Sequence, residues 1–228
     1  MRLIAYLLLG IAIVTTALQL LGVNVDIAIS KLLYDPATRH FTVDNFSKVS
    51  ALRENGLVAV STCVVCAILG LMRFLPWRLP SIRPRAAIFL TVSMLVGPGL
   101  LVNVAMKPHW GRPRPYEITQ FGGTLPFVNW WDPNGACDSN CSFISGEAST
   151  AAWMFGPAML VPMPWRTVAI AAAAAFTLFI STLRVMAGGH FFTDVLFGAL
   201  ATILILLLFR RLIDPAAADT SRTAPTSP

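Results

Sequence analysis

The sequence is poor in charged residues, which make up 12% of its 228 positions, whereas apolar residues make up 56%. Soluble domains usually carry about 25% charged residues, so this deficit excludes an ordinary soluble fold and indicates a membrane protein. The chain also lacks a basic stripe interleaved with aromatic residues, which argues against nucleic-acid binding despite the net charge of +6. No internal repeat divides the sequence. We therefore expect one membrane domain over residues 1–212 and a disordered cytoplasmic tail over residues 213–228, which is too poor in apolar residues to fold.

Cysteine is scarce, and the four residues form two pairs. Cys63 and Cys66 lie inside an apolar segment, where this spacing is typical of two small buried hydrophobic residues. Cys137 and Cys141 flank a polar loop. They predict a short disulfide if that loop faces an oxidising compartment, and two reduced thiols in a turn if it does not.

The apolar segments predict an all-α polytopic membrane protein with six transmembrane helices. The first segment is expected to be an uncleaved anchor rather than a signal peptide, because no convincing small-residue cleavage site follows it. Residues 26–55 are mixed in character and predict an extramembrane loop with a short amphipathic helix. Gly97-Pro98-Gly99 predicts a kink. The six predicted spans are residues 3–22, 56–75, 86–106, 147–163, 167–186 and 191–212.

The basic residues are distributed unevenly across this topology. One side receives nine basic and two acidic residues, and the other receives eight basic and nine acidic residues. The positive-inside rule assigns the first side to the cytoplasm, together with both termini. The loop that follows the third span and the turn at Gly188-Gly189 then face outward, which is the periplasm in a bacterial inner membrane.

A stiff basic segment follows the third predicted span, at Lys107-Pro108-His109-Trp110-Gly111-Arg112-Pro113-Arg114-Pro115. Its prolines restrict the backbone, so Lys107, Arg112 and Arg114 sit on a rigid frame. Arginine offers a planar fork for phosphate oxygens, and lysine offers a compact point charge. The frame is therefore a candidate oxyanion site. The alternative is a basic cluster that only touches lipid headgroups.

Ser145-Gly146-Glu147 lies where the fourth span begins. A helix N-terminus presents unpaired N–H groups and a positive dipole end, and Gly146 allows an anion to approach closely. Ser145 is equally well explained as an ordinary helix N-cap.

Arg184, His190 and Asp194 lie around the turn between the fifth and sixth spans. His190 and Asp194 are four residues apart on a helix and so share one face. A carboxylate in this position can hold one imidazole nitrogen and leave the other as a nucleophile. Charged groups at a membrane edge are costly unless they have a function, and the cluster therefore predicts a site.

These motifs together resemble the type 2 phosphatidic acid phosphatase superfamily of membrane lipid phosphatases, which is related to the vanadium haloperoxidases. The resemblance covers roughly residues 50–212. It is carried by the spacing of three motifs, which are Lys107 with Arg114-Pro115, Ser145-Gly146, and Arg184 with His190 and Asp194.

The resemblance implies a metal-independent phosphomonoesterase that needs no cofactor and acts on a phosphorylated membrane lipid. By this resemblance, His190 attacks phosphorus to give a phosphohistidine, Asp194 orients His190, and water releases phosphate. The residues implied to hold the phosphate oxygens are Lys107, Arg114, Ser145, Gly146 and Arg184.

The sequence departs from the family pattern at Glu147, where the family usually has a histidine that protonates the leaving group. Three interpretations are open: Glu147 replaces that acid, His109 replaces it, or the role is lost. The Glu variant and the loop with Gly122-Gly123 and Trp130-Trp131 resemble a subgroup that includes lipid A phosphatases.

Lipid A is therefore the leading substrate hypothesis. Phosphatidylglycerophosphate, phosphatidic acid and undecaprenyl pyrophosphate are rival substrates for the same chemistry. A phosphotransferase and a non-catalytic lipid-phosphate-binding protein are the alternative functions.

Overall fold

The structure is a computed structural model that describes residues 1–43 and 84–213. The predicted second span, the pair Cys63 and Cys66, and the predicted tail lie outside the described residues. Helices dominate the described part of the chain, and four of them are long and apolar enough to cross a membrane. The four are at Arg2–Leu20, Arg85–Met106, Trp165–Met186 and Phe192–Arg211.

The N-terminal part folds into two helices and a small hairpin. The helix α2 is the short helix expected after the first span, and it begins at Asn24, whose side-chain oxygen accepts a hydrogen bond from Ile27 N at 3.0 Å. The hairpin departs from the all-α prediction, because the Asp35 carboxylate organises a tight turn by accepting from Ala37 N and from the Thr38 hydroxyl, each at 2.9 Å. The elements are α1 (Arg2–Leu20), α2 (Val25–Leu33), and the antiparallel strands β1 (Tyr34–Asp35) and β2 (His40–Phe41).

The second described part begins with a helix that changes its geometry. At the position of the predicted kink, the helix continues as a π-helix that contains Pro98. Proline has no amide hydrogen to donate, and the Asn103 side chain donates to the Pro98 carbonyl at 2.9 Å. The elements are α3 (Pro84–Met94), the π-helix (Leu95–Met106), two 3₁₀ turns (Pro115–Glu117 and Thr119–Phe121), α4 (Gly146–Trp153), α5 (Phe155–Leu160), α6 (Trp165–Met186) and α7 (Phe192–Ile213).

The predicted fourth span is not one continuous helix. The structure divides it at Met154 into α4 and α5, which have eight and six residues. At about 1.5 Å per residue, neither helix alone is long enough to cross a membrane. Every residue of α4 from Glu147 to Trp153 is buried, so this apolar stretch is explained by burial inside the protein. The total of six spans remains a prediction.

The helix α7 lies at the centre of the described bundle. In an apolar 18-residue stretch of α7, 56% is buried inside the protein, against 17–33% for the corresponding stretches of the other three long helices. The helices α1, α3, α4 and α6 all pack against α7. Gly156 allows α5 to approach Leu206 of α7 and Leu90 of α3, and Ser149 of α4 hydrogen-bonds to Thr202 of α7 at 2.6 Å. These contacts hold α4 and α5 against α7.

The turn between α6 and α7 packs against the hairpin. Gly188 has φ +63°, and its carbonyl accepts a hydrogen bond from Tyr116 N at 3.3 Å. A Cβ atom at this glycine would lie 2.4 Å from the ring of Phe41, so both the backbone and the packing require glycine here.

We predict that Gly188→Ala destabilises the protein. The left-handed backbone alone costs a residue with a side chain about 1–2 kcal/mol, and the contact with Phe41 adds to this cost. The measurement is the thermal unfolding midpoint in detergent. Gly10→Ala on α1 is the matched control, because a Cβ there meets nothing within 4 Å. Equal midpoints for the two variants would contradict the prediction.

Candidate active site

Four helix ends converge on one cluster of polar side chains. The π-helix ends beside Lys107, α4 begins at Gly146, α6 ends just after Arg184, and α7 begins between His190 and Asp194. Lys107, Arg184 and Asp194 are buried although they are ionisable. A buried charge is costly unless it is paired and hydrogen-bonded, so the partners of these side chains define the site.

His190 is fully buried and is held at its Nδ1 atom. The Ser142 carbonyl oxygen lies 2.8 Å from Nδ1, whereas the nearer carboxylate oxygen of Asp194 lies 3.8 Å away. The carbonyl can only accept a hydrogen bond, so Nδ1 carries a hydrogen, and in the neutral imidazole Nε2 then carries the lone pair. A backbone carbonyl therefore fixes the tautomer, where the sequence had predicted that Asp194 would hold the ring directly.

Asp194 acts on His190 through its charge and through Ser142. The Ser142 hydroxyl donates a hydrogen bond to Asp194 Oδ2 and lies 3.5 Å from His190 Nδ1. The same carboxylate oxygen accepts from Phe191 N at 2.8 Å. Asp194 is thus fixed in place beside an imidazole whose positive form it would stabilise.

Arg112 bridges two buried carboxylates. Its Nη2 donates to Asp26 Oδ2 at 2.8 Å, and its Nη1 donates to Asp194 Oδ1 and to the Thr193 hydroxyl. None of the three charged side chains is exposed. Burial acts to lower the pKa of Arg112, but the charges of Asp194 and then Asp26 raise that pKa above its ordinary value. The hypothesis that Arg112 grips an oxyanion was wrong, because its guanidinium is committed to Asp26 and Asp194.

Asp26 connects the site to the N-terminal helices. Its carboxylate accepts from Thr193 N at 2.9 Å, from the Thr193 hydroxyl at 2.7 Å and from the Gln19 side chain at 2.9 Å. Gln19 belongs to α1, Asp26 to α2 and Thr193 to α7. Three helices are therefore tied together at the residue next to Asp194.

Glu147 and Arg184 form a second buried ion pair, with Arg184 Nε 3.0 Å from Glu147 Oε2. Glycine at position 189 makes room for this arginine, since a Cβ there would lie 2.8 Å from Arg184 Nη2. His109, the alternative acid, is exposed and lies 3.2 Å from the Ala105 carbonyl through its Nδ1. The structure therefore brings Glu147 into the cluster and leaves His109 at the surface.

Ser145 and Gly146 form the N-terminus of α4. The Ser145 hydroxyl accepts from Ala148 N at 3.3 Å, as a helix N-cap does, and Ser145 N donates to the Asp194 carbonyl at 3.1 Å. A Cβ at Gly146 would lie 3.7 Å from Lys107 Nζ. The positive end of α4 and the lysine ammonium are therefore neighbours.

Lys107 and Arg114 share one partner, Asn140. The Asn140 side-chain oxygen accepts from Lys107 Nζ at 3.1 Å, and its backbone carbonyl accepts from Arg114 Nε at 3.1 Å and Nη2 at 2.8 Å. Cys137 and Cys141 are joined by a disulfide that closes the loop containing Asn140. The eight residues predicted to act in catalysis or to hold phosphate thus lie in one cluster, whereas His109 lies at the surface.

Four residues of the site were not predicted from the sequence, namely Asp26, Asn140, Ser142 and Thr193. Asp26 is 168 positions from Asp194 in the numbering and had been assigned to an extramembrane loop. Asn140 and Ser142 act through a carbonyl oxygen as well as through their side chains. The only hint available was their closeness to Cys141 and Ser145 in the sequence.

The same side chains do not form a metal site within the described part of the chain. Within residues 1–43 and 84–213, no three His, Cys, Asp or Glu side chains lie close enough together to hold a metal ion. The carboxylates of the site pair instead with Arg112 and Arg184. Activity without a metal or cofactor remains a prediction from the resemblance.

The family is established by sequence comparison. Residues 86–217 match the model of the PAP2 superfamily, which is more than half of the chain, and the protein therefore belongs to this superfamily. A crystal structure of a transmembrane PAP2-type phosphatidylglycerolphosphate phosphatase from Bacillus subtilis has a similar fold. That likeness has a TM-score of 0.50 at 19% sequence identity, and it covers 97% of this chain and 98% of the other.

Curated relatives are more similar in sequence but match a shorter region. The chain is 42% identical over 113 residues to the lipid A 4′-phosphatase of Rhizobium leguminosarum, covering 50% of this chain and 48% of that protein. It is 40% identical over 114 residues to the lipid A 4′-phosphatase of Francisella tularensis subsp. novicida, covering 50% of this chain and 51% of that protein. The chain thus spans about half the length of the curated relatives that it matches.

We predict that Asp26→Ala strongly destabilises the protein. Removing one partner of a buried ion pair typically costs about 3–5 kcal/mol, because the other charge is left uncompensated. The measurement is the thermal midpoint in detergent. Asp35→Ala is the matched control, because Asp35 is exposed and accepts hydrogen bonds only within its own turn among the described contacts. A loss for Asp26→Ala no larger than for Asp35→Ala would contradict the structural role of the Arg112 bridge.

Proposed function

We propose that this chain is a membrane phosphatase that hydrolyses the phosphomonoester of a lipid through a phosphohistidine, with lipid A as its substrate. The observation that carries the proposal is the fixed tautomer of His190. Its Nδ1 bonds to the Ser142 carbonyl at 2.8 Å, which leaves the lone pair on Nε2 for attack on phosphorus. The lysine and two arginines of the same cluster supply the positive charge that a phosphoryl group needs.

In the first step, Nε2 of His190 forms a bond to phosphorus while the bond between phosphorus and the lipid oxygen breaks. Lys107, Arg114, Arg184 and the N–H groups at the start of α4 hold the equatorial oxygens. Phosphoryl transfer depends mainly on such positioning and charge stabilisation. The imidazole becomes positively charged, and Asp194 stabilises that charge. Water then attacks the phosphohistidine and releases orthophosphate and the free imidazole.

The leaving lipid oxygen needs a proton in the first step, and we assign this proton to Glu147. Glu147 is buried at the start of α4 and forms an ion pair with Arg184, one of the proposed phosphate ligands. A phosphate dianion bound to Arg184 would lie beside the carboxyl group of Glu147, which would place that group near the leaving oxygen. As the substrate binds, Arg184 would leave Glu147 for the phosphate, and Glu147 would leave Arg184 for the leaving oxygen.

We propose lipid A rather than the rival lipids because the curated relatives with 40–42% identity are lipid A 4′-phosphatases. The matched stretch covers about half of each relative. The substrate therefore rests on that shared region together with the Glu147 variant and the loop around Trp130-Trp131, which favour the same subgroup.

The site is proposed to face the periplasm of a bacterial inner membrane, with both termini in the cytoplasm. The excess of basic residues on the opposite side supports this orientation. The disulfide between Cys137 and Cys141 also supports it, because disulfides persist in the periplasm and are rare in the cytoplasm. The site residues would then lie at the periplasmic surface of the inner membrane, where the phosphate of a lipid in the periplasmic leaflet is accessible.

We expect the purified protein in detergent to release phosphate from lipid A in the presence of EDTA. The panel also includes phosphatidylglycerophosphate, phosphatidic acid and undecaprenyl pyrophosphate. His190→Ala should lose activity by about 10⁴-fold or more, since the nucleophile is removed, while His109→Ala should keep it. Inhibition by EDTA, or turnover that survives His190→Ala, would refute the mechanism. Faster turnover of another lipid in the panel would make that lipid the proposed substrate instead of lipid A.

Glu147→Gln tests the proton donor separately. With lipid A, kcat should fall by about 10²-fold, the usual contribution of a general acid. With p-nitrophenyl phosphate it should fall little, because nitrophenolate leaves without a proton. An equal loss on both substrates would instead show that Glu147 acts by holding Arg184.

A further inference from the structure

Two buried cations of the site are held by one exposed loop residue. Asn140 contacts Lys107 through its side-chain oxygen at 3.1 Å and Arg114 through its backbone carbonyl at 2.8 and 3.1 Å. Lys107 and Arg114 are buried, whereas Asn140 lies at the surface. One position in the 107–145 loop therefore contacts both cations.

The backbone of Asn140 is fixed in a conformation that few residues adopt. Its φ is +50°, in the left-handed region, which asparagine and glycine tolerate better than other residues do. The disulfide between Cys137 and Cys141 closes the chain around this position. The next residues then lead to Ser142, whose N–H donates to the Arg112 carbonyl at 2.8 Å. Asn140 is thus anchored on both sides.

We infer that Asn140 is a positioning residue for the phosphate site and that the Cys137–Cys141 disulfide holds it there. This inference rests on the proposed role of Lys107 and Arg114 as phosphate ligands. Asn140 sets the distance between the two cations, so that they meet the same phosphate group. The disulfide makes that distance independent of motions of the loop.

The chemistry of the partner explains why an amide is suited to this task. Two cations held close together repel each other, and hydrogen-bond acceptors are needed to keep them in place. A carboxylate would hold them more strongly but would cancel part of their charge. The neutral oxygens of Asn140 contact both side chains without adding a negative charge to the site.

The test is the affinity of the detergent-solubilised protein for inorganic phosphate, measured by calorimetry alongside the thermal midpoint. Asn140→Gly keeps the backbone conformation and the carbonyl on Arg114 but removes the amide on Lys107. We expect the Kd for phosphate to rise about tenfold to a hundredfold, the usual effect of one lost hydrogen bond to a charged group, with an unchanged midpoint. Asn140→Asp keeps an acceptor but adds a negative charge, and should weaken binding further.

The disulfide is tested in the same assay. Dithiothreitol should raise the Kd of the wild-type protein for phosphate, and Cys137→Ser/Cys141→Ser should show the raised Kd with no further response to dithiothreitol. Asn134→Gly is the matched control, because Asn134 lies in the same loop and its side chain bonds to Asp132 at 2.9 Å. It should bind phosphate as the wild type does.

An unchanged Kd in Asn140→Gly would overturn the inference. Tighter binding would also overturn it, since Asn140 would then be occupying the place of phosphate oxygens. Lys107→Met distinguishes this failure from failure of the proposed function. If Lys107→Met weakens phosphate binding and Asn140→Gly does not, only the role of Asn140 fails. If the wild type neither binds phosphate nor releases it from any lipid, both proposals fail.

Discussion

The site depends on one buried interaction, the bridge that Arg112 makes between Asp26 and Asp194. An unpaired guanidinium or carboxylate could not be buried here without a large desolvation cost, so each of the three groups requires the others. The bridge fixes Asp194, and Asp194 fixes Ser142, whose carbonyl sets the tautomer of His190. The orientation of the imidazole therefore depends on charged groups that are not among the proposed phosphate ligands.

The buried cations of the site are held in two different ways. Arg112 and Arg184 are paired with carboxylates, which offset their charge, whereas Asn140 holds Lys107 and Arg114 through neutral oxygens. The positive end of α4 lies beside Lys107, where a Cβ at Gly146 would be 3.7 Å from the lysine Nζ. In the proposed function, this is where a dianionic phosphate would bind.

Sequence reasoning predicted the long apolar helices and the cluster of motif residues, because hydrophobic length and motif spacing are both local properties. It failed where the answer depended on distant partners. Arg112 and Arg114 look alike in the sequence. Only the position of Asp26 in the fold shows that Arg112 has a structural role, whereas Arg114 is a candidate phosphate ligand. The division of the predicted fourth span also could not be read from hydropathy, since residues buried in protein are as apolar as residues facing lipid.

The contact between α2 and α7 has a consequence for how the protein can be divided. The region that matches the PAP2 superfamily begins at residue 86, yet Asp26, which neutralises Arg112, lies 60 positions earlier. A fragment cut at the boundary of sequence similarity would contain Arg112 and Asp194 without their third partner. The region that matches the family model is therefore smaller than the set of residues on which the Arg112 bridge depends. N-terminal helices exchanged between relatives would have to bring their own carboxylate to the same place.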